Sequence, residues 1–187
     1  MKIKTKYGMV VSGHKEATKS GIKVLKSGGN AMDAAIAAAS TLAVAIPNMN
    51  GLGGDSIALW YDAKKKKVSV INGTGKSPNK ATRKYFLSRG FKKIPQRGPL
   101  SITVPGVVHA WDTSIKKYGT KKLNEVLKDS IKLCKNGIKI DKYLKNFLES
   151  NIYKELIKKN KYLSNIYGRK KKFRINSKVK QIQLSKT

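Results

Sequence analysis

The stretch from Ser27 to Asp55, SGGNAMDAAIAAASTLAVAIPNMNGLGGD, constrains the fold more than any other part of this chain. Gly28 and Gly29 stand where a preceding helix must stop, because glycine accepts the left-handed conformation of a helix C-cap at little steric cost. Asn30 then starts a second helix. Its side chain can accept an orphan backbone N–H of the first turn, and Asp33, three residues on, sets a carboxylate where the helix dipole favours negative charge. Ala34, Ala35, Ala37, Ala38 and Ala39 keep this helix slim on nearly every side, which suits an element packed inside a layered domain. Pro47 ends it. Gly51, Gly53 and Gly54 allow a tight loop before the apolar run Ile57 to Tyr61, which reads as a buried strand.

The rest of the chain alternates in type. Met9 to Ser12 is predicted as a short strand, and Glu16 to Lys26 as a helix with Ala17, Gly21, Val24 and Leu25 inward at helical spacing. Strands are predicted over Ile57–Asp62 and Lys67–Asn72, joined by a lysine turn. Two helices follow: one with Pro105 just inside it runs to about Tyr118, and Leu123, Val126, Leu127, Ile131 and Cys134 form the apolar stripe of the other. Gly119 and Gly137 are their natural stops. From Asp141 the pattern is helical to about Lys161, and residues 168–187 read as a basic tail, disordered if nothing holds it. With no repeat and no long linker, residues 1–187 are taken as one α/β domain.

Composition bounds the possible functions. The chain has 187 residues, 40% of them hydrophobic, enough for a real core. Its single cysteine, Cys134, excludes an internal disulfide and fits a reducing compartment; a cytoplasmic location is expected. The apolar run after the lysine-rich start is too short for a secretory leader, and the alanine-rich segment is too short and too polar for a membrane span. The net charge of +31 would ordinarily point to nucleic acid or an anionic surface. Against that, the arginines are only Arg83, Arg89, Arg97, Arg169 and Arg174, and the lysines are scattered over predicted exposed turns and faces. Abundant lysine with little arginine suits a solvated surface better than base-edge recognition. The stretch Gly168–Lys180, which has no acidic residue, is the one place where a nonspecific phosphate contact is expected if the tail is free.

Three local features invite sharper readings and fail. The segment NGTGKSP, Asn72 to Pro78, contains Gly-Lys-Ser after a strand, but Val70 stands where a phosphate loop needs glycine, and Pro78 disfavours a helical Ser77. His14 and His109 are far apart with no supporting carboxylates, so they read as helix-boundary or surface residues; neither a metal nor another cofactor is expected. Cys134 lies in an apolar stripe and reads as a core thiol.

Five segments together resemble the start of the gamma-glutamyltranspeptidase family of N-terminal-nucleophile hydrolases: GMVVSGH (Gly8–His14), GGNAMDAAIAAA (Gly28–Ala39), NGLGGD (Asn50–Asp55), LWYDAKKKKV (Leu59–Val68) and GPLSITVPGVVHAW (Gly98–Trp111). The resemblance is clear from Gly8 to about Gly137 and fainter beyond. It implies an incomplete four-layer αββα sandwich whose sheets a second subunit completes. It also implies a precursor that cleaves itself, freeing an N-terminal threonine on a downstream small subunit as the nucleophile. Such a nucleophile needs its own α-amino group as base and donors for the oxyanion. The sequence has no Thr-Thr pair of the family's cleavage-site kind, so the chain is expected to be an N-terminal part of the large subunit, with no catalytic residue of its own and inert alone.

The resemblance also supplies candidate substrate-binding residues. In glutamyl-transferring members an arginine at the position of Thr74 holds the substrate's α-carboxylate, whereas another branch carries a GSGRAP-like segment. The GTGKSP of this chain resembles the latter, with Lys76 replacing arginine. Lysine offers a point charge in place of a planar fork, so carboxylate recognition should be less directional. The expected substrate is a small gamma-glutamyl or other acyl amide. The competing reading is a non-catalytic basic module that binds nucleic acid or another polyanion.

Overall fold

The computed structural model describes residues 5, 6, 8–168 and 172–187; the basic run at 169–171 and most of the lysine-rich start lie outside the described residues. In chain order the elements are α1 (Lys15–Lys26), α2 (Ala31–Ala45), β1 (Ser56–Asp62), β2 (Lys67–Gly73), α3 (Arg83–Leu87), α4 (Val107–Tyr118), α5 (Leu123–Val126), α6 (Lys128–Asn136), β3 (Ile138–Lys139), α7 (Lys142–Glu149), α8 (Asn151–Lys159), α9 (Lys161–Leu163) and β4 (Lys178–Val179). Two compact units emerge where the sequence reads as one domain: residues 1–50 with 124–187, and residues 51–123.

The first unit is built on α1 and α2. His14 caps α1, its Nδ1 accepting from the Glu16 N–H at 3.1 Å, which makes it the boundary residue expected. Asn30 caps α2 reciprocally: its Oδ1 accepts from the N–H groups of Met32 (2.9 Å) and Asp33 (3.1 Å), while Asp33 Oδ2 accepts from the Asn30 N–H (2.8 Å). The alanines do what small residues allow, letting α1 and α2 pack closely. A Cβ on Gly21 would stand 3.0 Å from the Ala34 carbonyl oxygen, tighter than ordinary contact. Cys134 is buried with Val44, Ala45 and Ile138, and burial pushes its thiol up to about 11, in keeping with an inert core residue. The predicted helix through Leu123 and Cys134 is instead two, α5 and α6, with Leu127 as the N-cap of the second.

The basic tail, read from sequence as disordered if nothing holds it, is packed in its described part. β4 pairs antiparallel with β3, Phe173 and Val179 join a core with Ile140, Leu144, Leu148, Tyr153 and Tyr167, and the Gln181 side chain donates to the Val44 carbonyl at 2.9 Å. Burial of Phe173, Val179 and Gln181 outweighs the lysines around them, whose long stems leave their charges in water.

Met9 to Ser12 is not a strand. It runs without a ladder partner among the described residues, with Met9 51% and Val11 84% exposed. It borders two open pockets, one of about 640 Å³ lined also by Ile22 and Leu25 and one of about 600 Å³ lined also by Ala34, Ala35, Ala38 and Leu42.

In the second unit β1 and β2 form an antiparallel hairpin in the register Leu59↔Val70 and Tyr61↔Val68. Asp62 Oδ1 accepts from the N–H groups of Lys64 (3.0 Å) and Lys65 (3.2 Å), which shapes the lysine turn as an aspartate turn does. One face of the hairpin packs on α4, where Trp60 stacks on Tyr118 with ring centroids 5.7 Å apart. The opposite face carries Ile57, Leu59, Tyr61, Val68 and Val70, all more than half exposed. The run Ile57–Tyr61 is therefore half-buried, because α4 covers one side only. Pro105 lies outside α4, whose N-cap is Gly106. None of the described helices is long and apolar enough to cross a membrane.

Candidate functional site

Three segments of the second unit converge at the end of the hairpin: Gly53–Asp55 before β1, Gly73–Lys76 after β2, and Thr103–Val107 leading into α4. Their meeting is specified by backbone and by glycine. The Gly54 carbonyl accepts from the N–H groups of Gly106 and Val107, each at 3.1 Å, so the loop before β1 takes up two of the orphan donors that begin α4. The Lys76 carbonyl accepts from the Val104 N–H at 2.9 Å. Asp55 Oδ1 accepts from the Gly75 N–H at 2.9 Å and from the Thr103 hydroxyl at 3.2 Å. Asn72 Oδ1 accepts from the Thr74 N–H at 2.9 Å, tightening the turn that carries both candidate residues.

No side chain fits at the crossing. A Cβ on Gly75 would stand 1.7 Å from the Val104 carbonyl oxygen, and one on Gly106 2.1 Å from the Gly73 oxygen. The glycines that make NGTGK look like a phosphate loop thus serve the close approach of two backbones, and no helix begins at Lys76–Ser77.

Thr74 and Lys76 both lie on this turn with exposed side chains, two residues apart on a backbone that is pinned on each side. What the arrangement can do chemically is limited and clear: a cation held by its backbone at an open ledge can attract a carboxylate, with the short Thr74 hydroxyl beside it as a further hydrogen-bonding group. Sequence reading singled out Thr74 and Lys76 and passed over Asp55 and Thr103. The available signal was the carboxylate itself, an exposed acceptor directly after a glycine pair that lets other backbone approach and directly before an apolar strand.

Elsewhere, His109 is exposed on α4, and His14 Nε2 lies 3.7 Å from Asp141 Oδ2 in the first unit. Among the described residues no group of three or more His, Cys, Asp or Glu could hold a metal ion.

Comparison with known proteins bears on this geometry. The sequence pattern of the family described as Gamma-glutamyltranspeptidase matches residues 17–187. The glutathione hydrolase-like YwrD proenzyme of Bacillus subtilis is 41% identical over 165 residues, covering 88% of this chain and 31% of that protein. The acylase ACY 1 proenzyme of Pseudomonas sp. strain SE83 is 33% identical over 153 residues, covering 77% of this chain and 27% of its own length. Among solved structures, the gamma-glutamyltranspeptidase of Helicobacter pylori superposes on all of this chain and 54% of its own with a TM-score of 0.90 at 32% identity. This chain spans about a third or less of the curated relatives it matches. Its mixed helix-and-sheet fold and these matches agree: the chain belongs to the gamma-glutamyltranspeptidase family.

Proposed function

We propose that this chain supplies the substrate-carboxylate ledge of a gamma-glutamyltranspeptidase-type amide hydrolase or acyl transferase, whose nucleophilic threonine comes from a small subunit. The observation that carries this reading is the pinned turn Gly73–Lys76, which fixes the backbone of a cation on an open surface. Lys76 is the group for an anionic substituent of the acyl donor, and Thr74 is the neutral group beside it. With lysine in place of a planar fork, donors are selected by charge more than by shape, which suits gamma-glutamyl amides and other acidic acyl amides alike.

The small subunit is also the natural cover for the apolar hairpin face. A sheet face of five large apolar side chains in one register needs another layer, and a second sheet about 10 Å away would produce the four-layer αββα arrangement. The surface lysines are solvated by this reading, and the partners are the small subunit and a small acyl amide.

The test is enzymatic. The 187-residue chain alone should release nothing from a gamma-glutamyl anilide, whereas the enzyme assembled from this chain and its small subunit should turn it over. In that enzyme K76M should raise KM for the anilide by about tenfold, the scale of one charge-assisted hydrogen bond. An unchanged KM would remove Lys76 from the site, and turnover by the chain alone would end the two-subunit reading.

A further inference from the structure

We infer that Asp55 is the positioning residue of this site: its carboxylate holds the Gly73–Lys76 turn against Thr103–Val104 and so fixes the point from which Lys76 reaches an anionic acyl substrate. The inference rests on the substrate-binding reading of Lys76 and deepens it.

Asp55 Oδ1 is shared by two donors that approach from different parts of the chain, the Gly75 N–H at 2.9 Å, 20 residues on, and the Thr103 hydroxyl at 3.2 Å, 48 residues on. One residue beyond Gly75, the Lys76 carbonyl takes the Val104 N–H at 2.9 Å. The two backbone bonds bracket the α-carbon of Lys76. Asp55 is itself held, because the preceding Gly54 carbonyl accepts the first two N–H groups at the start of α4. The carboxylate therefore transmits the position of the α4 start to the turn.

This matters more for lysine than it would for arginine. A guanidinium brings its own planar directionality to a carboxylate, whereas an ammonium on four methylenes brings none, so whatever directionality the site has must come from where the side chain is rooted. No other carboxylate touches the turn among the hydrogen bonds of the described residues. Among the ion pairs of the described residues none joins Asp55 to Lys76, which leaves the ammonium to the substrate. The bonds are exposed, so water partly replaces them when they are lost and the effect is graded.

The experiment uses the assembled enzyme and two donors, a gamma-glutamyl anilide with a free α-carboxylate and the same anilide with that group as an amide. D55A should raise KM for the first donor about fivefold, the scale of a net hydrogen-bond loss, with kcat within twofold and no change in KM for the second. D55N, whose Oδ1 still accepts both bonds, should bring KM back to within twofold of the native value. T103V, which removes one donor and keeps the volume, should move KM the same way by a smaller factor and serves if D55A fails to assemble. The double variant D55A/K76M should match K76M alone.

A fall in kcat at unchanged KM, an equal penalty on both donors, or a full D55A factor in the K76M background would each overturn the inference. So would unchanged hydrogen exchange at the Val104 amide in D55A. If K76M raises KM and D55A does not, only the role of Asp55 fails; if K76M leaves KM unchanged, the Lys76 reading and the role of Asp55 fail together.

Discussion

Substituting Gly75 by alanine should unfasten the junction that carries the candidate site and leave the first unit intact. The new Cβ would stand 1.7 Å from the Val104 carbonyl oxygen and 2.7 Å from its carbon, with backbone on the opposing side and therefore nothing that can rotate away. Ordinary contact requires the two segments to part by well over an ångström. That separation breaks the Val104 to Lys76 and Gly75 to Asp55 bonds, both 2.9 Å, and the 3.2 Å Thr103 to Asp55 bond. Solvent-exposed hydrogen bonds sit at the low end of about 0.5–1.5 kcal/mol each, so the loss is about 2 kcal/mol. The two tryptophans, Trp60 and Trp111, both belong to residues 51–123, so their fluorescence reads this unit alone. With a urea dependence of about 1–3 kcal/mol/M, the tryptophan-monitored midpoint should fall by about 1 M. Gly28→Ala is the control: its φ of +84° disfavours alanine by about 1 kcal/mol, but it lies in the first unit with open space around it, and the tryptophan transition should not move. A Gly75→Ala midpoint within error of the native value, or an equal fall for Gly28→Ala, would refute the reasoning.

Asn30→Ala removes the side-chain half of the reciprocal cap of α2, keeping the Asp33 bond to the backbone N–H of residue 30, and should cost about 1 kcal/mol, read as a lower urea midpoint by far-ultraviolet circular dichroism. Cys134 should react with a thiol reagent slowly at pH 8 in the native chain and rapidly in urea. Its folded pKa is raised from 9.0 to about 11, so its contribution to stability is fully present below pH 9 and lost as pH rises to about 11, a decline that Cys134→Ala should lack. Leu59→Lys, at a position 73% exposed, should leave the unfolding midpoint of the isolated chain within about 0.5 kcal/mol of native and reduce its self-association in size-exclusion chromatography. Unchanged elution would mean that the apolar hairpin face does not drive association.

Local chemistry made much of this structure legible. The Asn30 and Asp33 cap, the stops at Gly119 and Gly137, and the two strands with their lysine turn all depend on residues near one another in sequence, and all appear where expected. What sequence could not supply was the identity of neighbours. Ile57–Tyr61 looks like a buried strand because its apolar residues are continuous, yet burial depends on what lies above and below, and the chain provides α4 on one side only. Met9–Ser12 has the composition of a strand and no ladder partner among the described residues. The tail misled through its charge: lysines dominate its composition, while the apolar positions between them decide its packing. At the candidate site, Thr74 and Lys76 were singled out by motif, and Asp55 was passed over because its hydrogen bonds reach residues 20 and 48 positions away.

The division of the chain also sets an order of events during synthesis. Residues 51–123 are continuous, so everything their unit needs has left the ribosome once Leu123 has emerged. The other unit begins earlier and finishes later: α2 waits for Gln181, whose side chain donates to the Val44 carbonyl across 137 residues, and β3 waits for its partner β4. The C-terminal end of α2, where Val44 lies, is thus made early and sealed late. The hairpin segment, which lies between the two halves in sequence, has a head start in which to fold while α6, α7, α8 and β4 are still to be made.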